Sequence, residues 1–517
     1  MRSAARRVVK KGVAKEKEKS IPAPIGGWNR RDAIADMPET DAIILDNMIP
    51  GTEGVSLRNG RDTHVTGLGT YIESLMEYSP PSGVPKLFAA VPTAIYDVTA
   101  AGAVGAAAVS SLTNGRWQHT MFATASANFL VLANGADSVR NYDGSSWTTP
   151  SITNVSSADL IHVTAHAQRL WFVEKNKLDA WYLGVSAISG AATKLPLGQF
   201  CKLGGYLVAI GSWSRDGGSG MDDMWVAVTS NGEVVIYSGT DPSSSTTWTQ
   251  VGVFKIPPPV GRRCIVKAGS DLGILTAVGL IPLSAVLAAN QSGQALVAIT
   301  DKISGAFKDY YQRSGTAFGW QVIEYPEKQL ILVNIPYTER SIQYQAVMNV
   351  RTGAWCRFTG FDFGCFSLLG SSLYAGDNTG TVWKYSLEGH DDDGDEISAT
   401  ILQAFTNCGS LLHKEVTQAR PILMGPGNYT PVVEIKVDYD TRAPTAEAGV
   451  TATTEPLWNV ALWNVSFWSS GSVQRKEWQS VSGGGLVIAP AIKISIAKEL
   501  VINRTDILYE ESGLVDA

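Results

Sequence analysis

Residues 224–239 read MWVAVTSNGEVVIYSG, and this stretch decides the fold class. Two runs of β-branched and aromatic residues flank Asn231-Gly232, a pair suited to a two-residue hairpin turn, where positive φ is needed and Gly supplies it at little cost. The same grammar recurs on both sides. KLFAAV and AIYDV (86–98), NFLVLAN, VRNYDG and SWTTP (128–150), RLWFVEKN and LDAWYLG (169–184), QLILVNIP and YQAVMNVRTGAWCRF (329–358), and SLYAGDNTGTVWKYSL (372–387) each read as strand, tight turn, strand. The last of these turns on Thr379-Gly380. A loosely repeated meander of roughly 40–50 residues predicts an all-β protein built on a β-propeller, which deals with exposed strand edges by radial closure. About 320 residues at about 45 per blade gives about seven blades, in a range of six to eight.

Composition agrees. The chain has 517 residues, 44% hydrophobic and 17% charged, with 51 Gly and a net charge of −6. Charge below the usual ~25% and Gly above the usual ~7% describe a turn-rich, weakly charged surface and exclude disorder as the main state. At roughly 100–200 residues per domain, the length predicts several units. The charge is uneven. Eight Lys/Arg against Glu16 and Glu18 place +6 in the first 19 residues and leave −12 on the other 498. A body of that sign is unsuited to gripping duplex DNA, because phosphate affinity comes from clustered Lys and Arg. Cys201, Cys264, Cys356, Cys365 and Cys408 form no CxxC pair, so neither a disulfide framework nor a zinc site is expected, and folding in a reducing cytoplasm fits. Val8, Val9 and Val13 are interrupted by lysines and make no signal-peptide core. The apolar run GILTAVGLIPLSAVLAA (273–289) falls short of the ~20 residues of a spanning helix and reads as buried strand, turn and short helix.

Along the chain the sequence divides into a basic extended arm (1–25), a latch segment (26–67) with a short helix expected near 41–47, the β-propeller (68–390), an acidic hinge (391–397) and a C-terminal β-sandwich-like domain (398–517). In that last domain Trp458, Trp463 and Trp468 recur every five residues, with Trp478 following. Period five is neither 2 nor 3.6. These aromatics either pack into a core against loops or form a contact surface for a neighbouring subunit, since Trp is enriched at interface hot spots.

No motif assigns a catalytic residue, a metal or a cofactor. His162 and His166 would share a ligand only on a helix; their flanks read as strand, which sets them some 13 Å apart at ~3.3 Å per residue. Placing Gly394 at the sixth position of a calcium loop puts Gly389 and Thr400 where its first and last ligands belong, so 391–396 reads as a solvated turn. No GxxxxGK[ST] or GxSxG run occurs, which disfavours nucleotide hydrolysis. Paired carboxylates on a propeller leave a glycan-active or glycan-binding protein as the alternative reading. The cluster Arg2, Arg6, Arg7, Lys10, Lys11 and Lys15 has three readings: a solvated tail, a dock for an acidic partner subunit, or a contact for DNA phosphates.

The runs at 231–284, 343–366 and 373–385, and the opening GGWNRRDAIADMPETDAIILDNMIPGTEGVSLRNG at 26–60, closely resemble a family of bacteriophage tail proteins. These are the tail hub or nozzle proteins of short-tailed phages, also described as tail tubular protein B-like or packaged-DNA stabilisation proteins. The Trp-spaced C-terminal region resembles the same family, while the arm lies outside the matched stretch. The resemblance implies a propeller with appended β domains and assembly as a ring of six copies below the portal and its adaptor. It further implies a lumen that conducts genomic DNA without reading its sequence, and a distal end that meets a tail needle, plug or fibre. The implied place is the virion tail, assembled in the host cytoplasm, and no catalytic role is implied. On that footing acidic side chains are expected to line the ring's lumen, and the arm to dock on assembly.

Overall fold

The structure, a computed structural model, describes residues 16–216, 221–292, 297–426, 431–445 and 473–512. The chain forms two compact units, Asn59–Asp395 and a second that joins Met1–Arg58 to Glu396–Ala517. The latch segment is therefore divided at Arg58, not carried whole to residue 67.

Asn59–Asp395 is a β-propeller, with seven blades among the described residues. The inner strands are Ser74–Tyr78, Gln118–Ala123, Leu160–His166, Leu207–Asp216, Ile265–Ala268, Gln321–Tyr325 and Phe363–Leu369. Each touches the next around the ring, and the last touches the first. Five blades carry four antiparallel strands in sequence order outward, the fifth has three, and the seventh has three in sequence order before it borrows its outer strand. The outer strand of the seventh blade, Arg61–Thr66, comes from the start of the unit and pairs with Val382–Tyr385, Val65 opposite Val382 and Arg61 opposite Tyr385. One sheet thus holds both ends of the ring together.

The deciding stretch folds as the expected hairpin, but its turn takes three residues, Ser230–Gly232, instead of two, and only Gly232 has positive φ. Met221–Thr229 and Glu233–Gly239 pair with Val228 opposite Val234, and Gly232 takes φ +83° at the turn. A Cβ there would lie 2.1 Å from the Ile256 carbonyl oxygen, so only glycine fits. Alternation turns apolar residues into the seams between blades. Between the third and fourth, Trp171, Trp225 and Trp248 meet, Trp171 stacked on Trp248 at 5.5 Å. Burial of rings this large dominates the seam's stability. The apolar run 273–289 becomes strands Asp271–Thr276 and Gly279–Pro282 and the helix Leu283–Ser292, whose Leu283 and Val286 close the seam between the fourth and fifth blades. Among the described residues no helix is long and apolar enough to cross a membrane. Cys264 and Cys365 are buried in the propeller, and burial pushes their thiols up to about 12. They act as small apolar side chains.

The second unit packs two sheets around Ile21, Val416, Val433, Ile435, Ile488, Ile507 and Tyr509. In one, the long strands His413–Gly425 and Val501–Ser512 pair along their length, and Lys17–Pro22 adds to the latter, Lys17 opposite Tyr509 and Pro22 opposite Arg504. The end of the arm is thus a sheet strand. In the other, Asp41–Asp46 pairs with Ile397–Gln403. The short helix expected at 41–47 is absent, because the β-branched pair Ile43-Ile44 suits a pleated strand and the distant strand Ile397–Gln403 pairs with its backbone.

Candidate functional site

The basic cluster Arg2, Arg6, Arg7, Lys10, Lys11 and Lys15 lies outside the described residues, as do Trp458, Trp463 and Trp468. The described end of the arm spends its charge within its own unit. Lys19 Nζ lies 3.0 Å from Glu39 Oε2, Lys17 pairs with Glu511, and Ser20 Oγ donates to Asp506 Oδ1 at 2.7 Å. Trp478 is half-buried beneath the Arg420 guanidinium, 4.3 Å from the ring centroid, and Arg420 donates through Nε and Nη2 to Asp506 Oδ2. Burial raises the Asp506 carboxyl, yet Ser20, Arg420 and Arg504 outweigh it and hold the carboxyl below its ordinary value. In the acidic hinge, Asp393 Oδ2 accepts the Thr63 hydroxyl at 2.7 Å and Asp391 Oδ2 accepts the Gly394 amide at 2.7 Å. Asp393 so braces the strand that closes the ring.

His162 and His166 lie on the inner strand of the third blade. His166 Nδ1 meets Ser212 Oγ at 2.9 Å and its ring packs edge-on to Trp248. His162 belongs to a cluster that only the fold assembles, at the channel mouth where the inner strands begin. Glu73, almost fully buried, accepts Arg340 Nη2 (2.8 Å) and Arg116 Nε (3.1 Å) on Oε1 and the Gly115 amide (2.8 Å) on Oε2. Arg116 also reaches Glu339 at 3.0 Å. Arg263 Nη2 donates to the Glu73 carbonyl oxygen (2.7 Å) and to Ser74 Oγ (2.6 Å); Arg262 Nη1 donates to the Asn134 carbonyl oxygen (3.0 Å). Arg116 and Arg263 both stand over the Phe318 ring, at 4.6 and 4.8 Å. Burial, reinforced by Arg263, pushes His119 down to about 4; burial, reinforced by Arg262 and His119, does the same to His162. Both histidines are neutral at pH 7. Such a crowd of guanidiniums in a half-dry mouth can orient an anion.

A second concavity, of about 370 Å³, lies against the sixth blade and the helix Ser304–Ser314. Tyr310, Tyr337 and Tyr344 line it with Arg313, Arg357 and Asp309. The Tyr337 and Tyr344 ring centroids are 5.1 Å apart, Arg313 sits 3.9 Å from the Tyr337 centroid, and Arg357 Nη1 donates to Tyr310 Oη at 3.3 Å. Its volume is that of a ligand cleft, and tyrosines offer stacking faces. One carboxylate, Asp309, is among the lining residues. Among the described residues no group of three or more His, Cys, Asp or Glu is placed to hold a metal ion. Neither concavity had a motif to announce it, because its residues come from separate elements, in the second a helix, two strands and the loop that holds Tyr337.

No family model matches the chain, and no curated protein matches it. Among solved structures it is similar to the computationally designed Ika8 protein, with 11% identity and a TM-score of 0.37 over 63% of this chain and 100% of that one. It is similar to BBS1N, solved in complex with ARL6DN, with 9% identity and a TM-score of 0.40 over 65% of this chain and 97% of that one. To YCF48 from Cyanidioschyzon merolae it shows 10% identity and a TM-score of 0.35 over 63% of this chain and 98% of that one. At these identities the likeness concerns the fold alone.

Proposed function

We propose that the chain is a structural subunit of a short-tailed bacteriophage tail: one of six copies in a hub or nozzle ring below the portal and adaptor that retains packaged DNA and conducts it at ejection. The observation that carries the reading is the spread of the phage-tail-like runs, 26–60, 231–284, 343–366 and 373–385, over both units of the chain. The −12 charge after residue 19 supports it, since a conduit that repels phosphates lets DNA slide. An apolar tip on the second unit supports ring assembly. Leu411 is 83% exposed beside exposed Leu412, Tyr439 and Leu486. Beneath them the fully buried Lys414 ammonium donates to the carbonyls of Ser410, Leu412 and Leu486 at 2.7–2.8 Å, which holds the tip in shape. Obligate interfaces are the more hydrophobic ones, and a ring joins unlike patches head to tail. The partners on this reading are further copies, the adaptor, a needle, plug or fibre, and passing DNA.

Sizing and particle imaging of the purified chain test it. A six-fold ring is expected, and Leu411→Asp with Leu486→Asp should shift particles toward monomers. A monomer in the presence of the adaptor would overturn the reading. The Tyr310, Tyr337, Tyr344 cleft favours one second reading, recognition of host-surface glycan by stacking; depolymerisation of polysaccharide by a monomer would put that reading first.

A further inference from the structure

We infer that the mouth of the propeller channel is a binding site for a phosphate-class oxyanion, held by Arg262, Arg263 and His162. The inference does not rest on the tail reading. Four guanidiniums (Arg116, Arg262, Arg263, Arg340) gather here around two carboxylates, Glu73 and Glu339. Those two carboxylates are already shared between Arg116 and Arg340. Arg262 and Arg263 have no carboxylate within ion-pair distance among the described residues; they donate only to carbonyl and hydroxyl oxygens. Burying a guanidinium without a paired anion is costly; Arg262 feels Arg116 and Arg263 as like charges, and Arg263 feels Arg116 as a like charge that Glu73, nearby but not ion-paired with it, opposes.

Two polar atoms are left over, one on a guanidinium that can only donate and one on a neutral imidazole that donates in its Nδ1–H tautomer. Arg263 Nη1 and His162 Nδ1 are buried and have no hydrogen-bond partner. Buried polar atoms are almost always paired, so such an orphan in a cationic pocket points to a missing acceptor. His162 stands close enough to Arg262, and His119 close enough to Arg263, for the guanidiniums to disfavour their imidazolium forms. The three residues come from two separate elements, the first strand of the third blade and the loop that opens the fifth. A tetrahedral oxyanion accepts from several directions at once, and the guanidinium fork suits it. Phe318 beneath Arg263 and the Ser74 hydroxyl fix that guanidinium in place before any ligand arrives.

The test is titration of the full chain with inorganic phosphate at constant ionic strength, read by histidine side-chain NMR; the chain has 6 His. Saturable binding is expected, with the His162 titration midpoint raised by about one unit or more, because an adjacent anion favours imidazolium. Arg262→Gln and Arg263→Gln should each weaken binding about tenfold or more, and Arg263→Lys should weaken it less. Arg263 also anchors Ser74, so Arg262→Gln, which gives up one bond to a carbonyl, carries the test if the other variant misfolds. Absence of a saturable shift, an equal shift with chloride, or unchanged binding in Arg262→Gln would overturn the site. A short thymidine oligonucleotide separates the sources: competition with phosphate identifies a nucleic-acid phosphate as a ligand, and binding of inorganic phosphate alone identifies the free ion.

Discussion

The propeller and the chain-end unit use the same strand chemistry but close it over different distances. In the blades each strand pairs with its neighbour in sequence, as Met221–Thr229 does with Glu233–Gly239. In the second unit, Ser20 meets Asp506 across 486 residues. Closing a loop that long costs about 3 kcal/mol more than closing one of ten residues, a modest sum because loop entropy grows only with the logarithm of length. The propeller reduces even that. Arg61–Thr66 lies in the sheet of the last blade and bridges at Arg61 to Asp392, so both exits of the ring are adjacent once it has closed. Distant pairing is affordable where a locally folded body brings the ends together first.

The largest test of this contrast is Asp506→Ala. The side chain is 0% exposed and gathers Ser20, Arg420 and Arg504 from three segments. Removing it leaves Arg420 without its buried partner and should cost about 3–5 kcal/mol. Hydrogen exchange should locate the loss in Lys17–Pro22, His413–Gly425 and Val501–Ser512 and leave the blade amides protected. Equal loss in the blades would break the comparison.

Thr63→Pro attacks the closure instead. It removes the amide that donates to Asp393 and places Pro inside the strand that seals the ring, at a cost of about 3 kcal/mol. Here both units should lose protection, because the open ring no longer presents its exits side by side. Loss confined to the last blade would mean the chain-end unit gains nothing from closure.

The smallest test uses pH. Burial alone pushes the Glu77 carboxyl, on the inner strand of the first blade, up to about 7. Between the ordinary carboxyl range and pH 7 the unfolded chain releases a proton that the folded chain keeps, so this group lowers stability as pH rises through that window. His119 and His162 act with the opposite sign: the unfolded chain takes up protons between 6.5 and about 4 that the folded chain refuses, so stability falls as pH drops. In the other unit, the lowered Asp506 carboxyl likewise loses its contribution in acid. Urea denaturation should find Glu77→Gln more stable than the parent at pH 8 by at most about 3 kcal/mol and nearly equal at pH 4.5. A pH-independent difference would remove burial of the charge as the cause.

The blades were legible because their signals are local. Alternation, the glycine at the 232 turn and the interrupted run at 273–289 each read correctly from neighbouring residues, although the turn spans three residues and not two. The segment 41–47 was misread as a helix for the complementary reason: its strand exists through Ile397–Gln403, and no residue nearby says so. The arm's division into a strand from Lys17 onward was hidden likewise by its distant partner. The channel mouth was invisible. Arg116, Arg262, Arg263 and Arg340 lie up to 224 residues apart in loops whose spacing carries no period.

The amino-acid sequence by itself determined the strands, the turns, the meander and its approximate number of repeats, since side-chain alternation and positive-φ glycines act over a few residues. Only the tertiary structure decided the closing strand, the pairing of the chain ends, and the meeting of four arginines with His119 and His162 at one opening. Those depend on radial closure, which brings the starts of separate inner strands to a common axis whatever their distance along the chain.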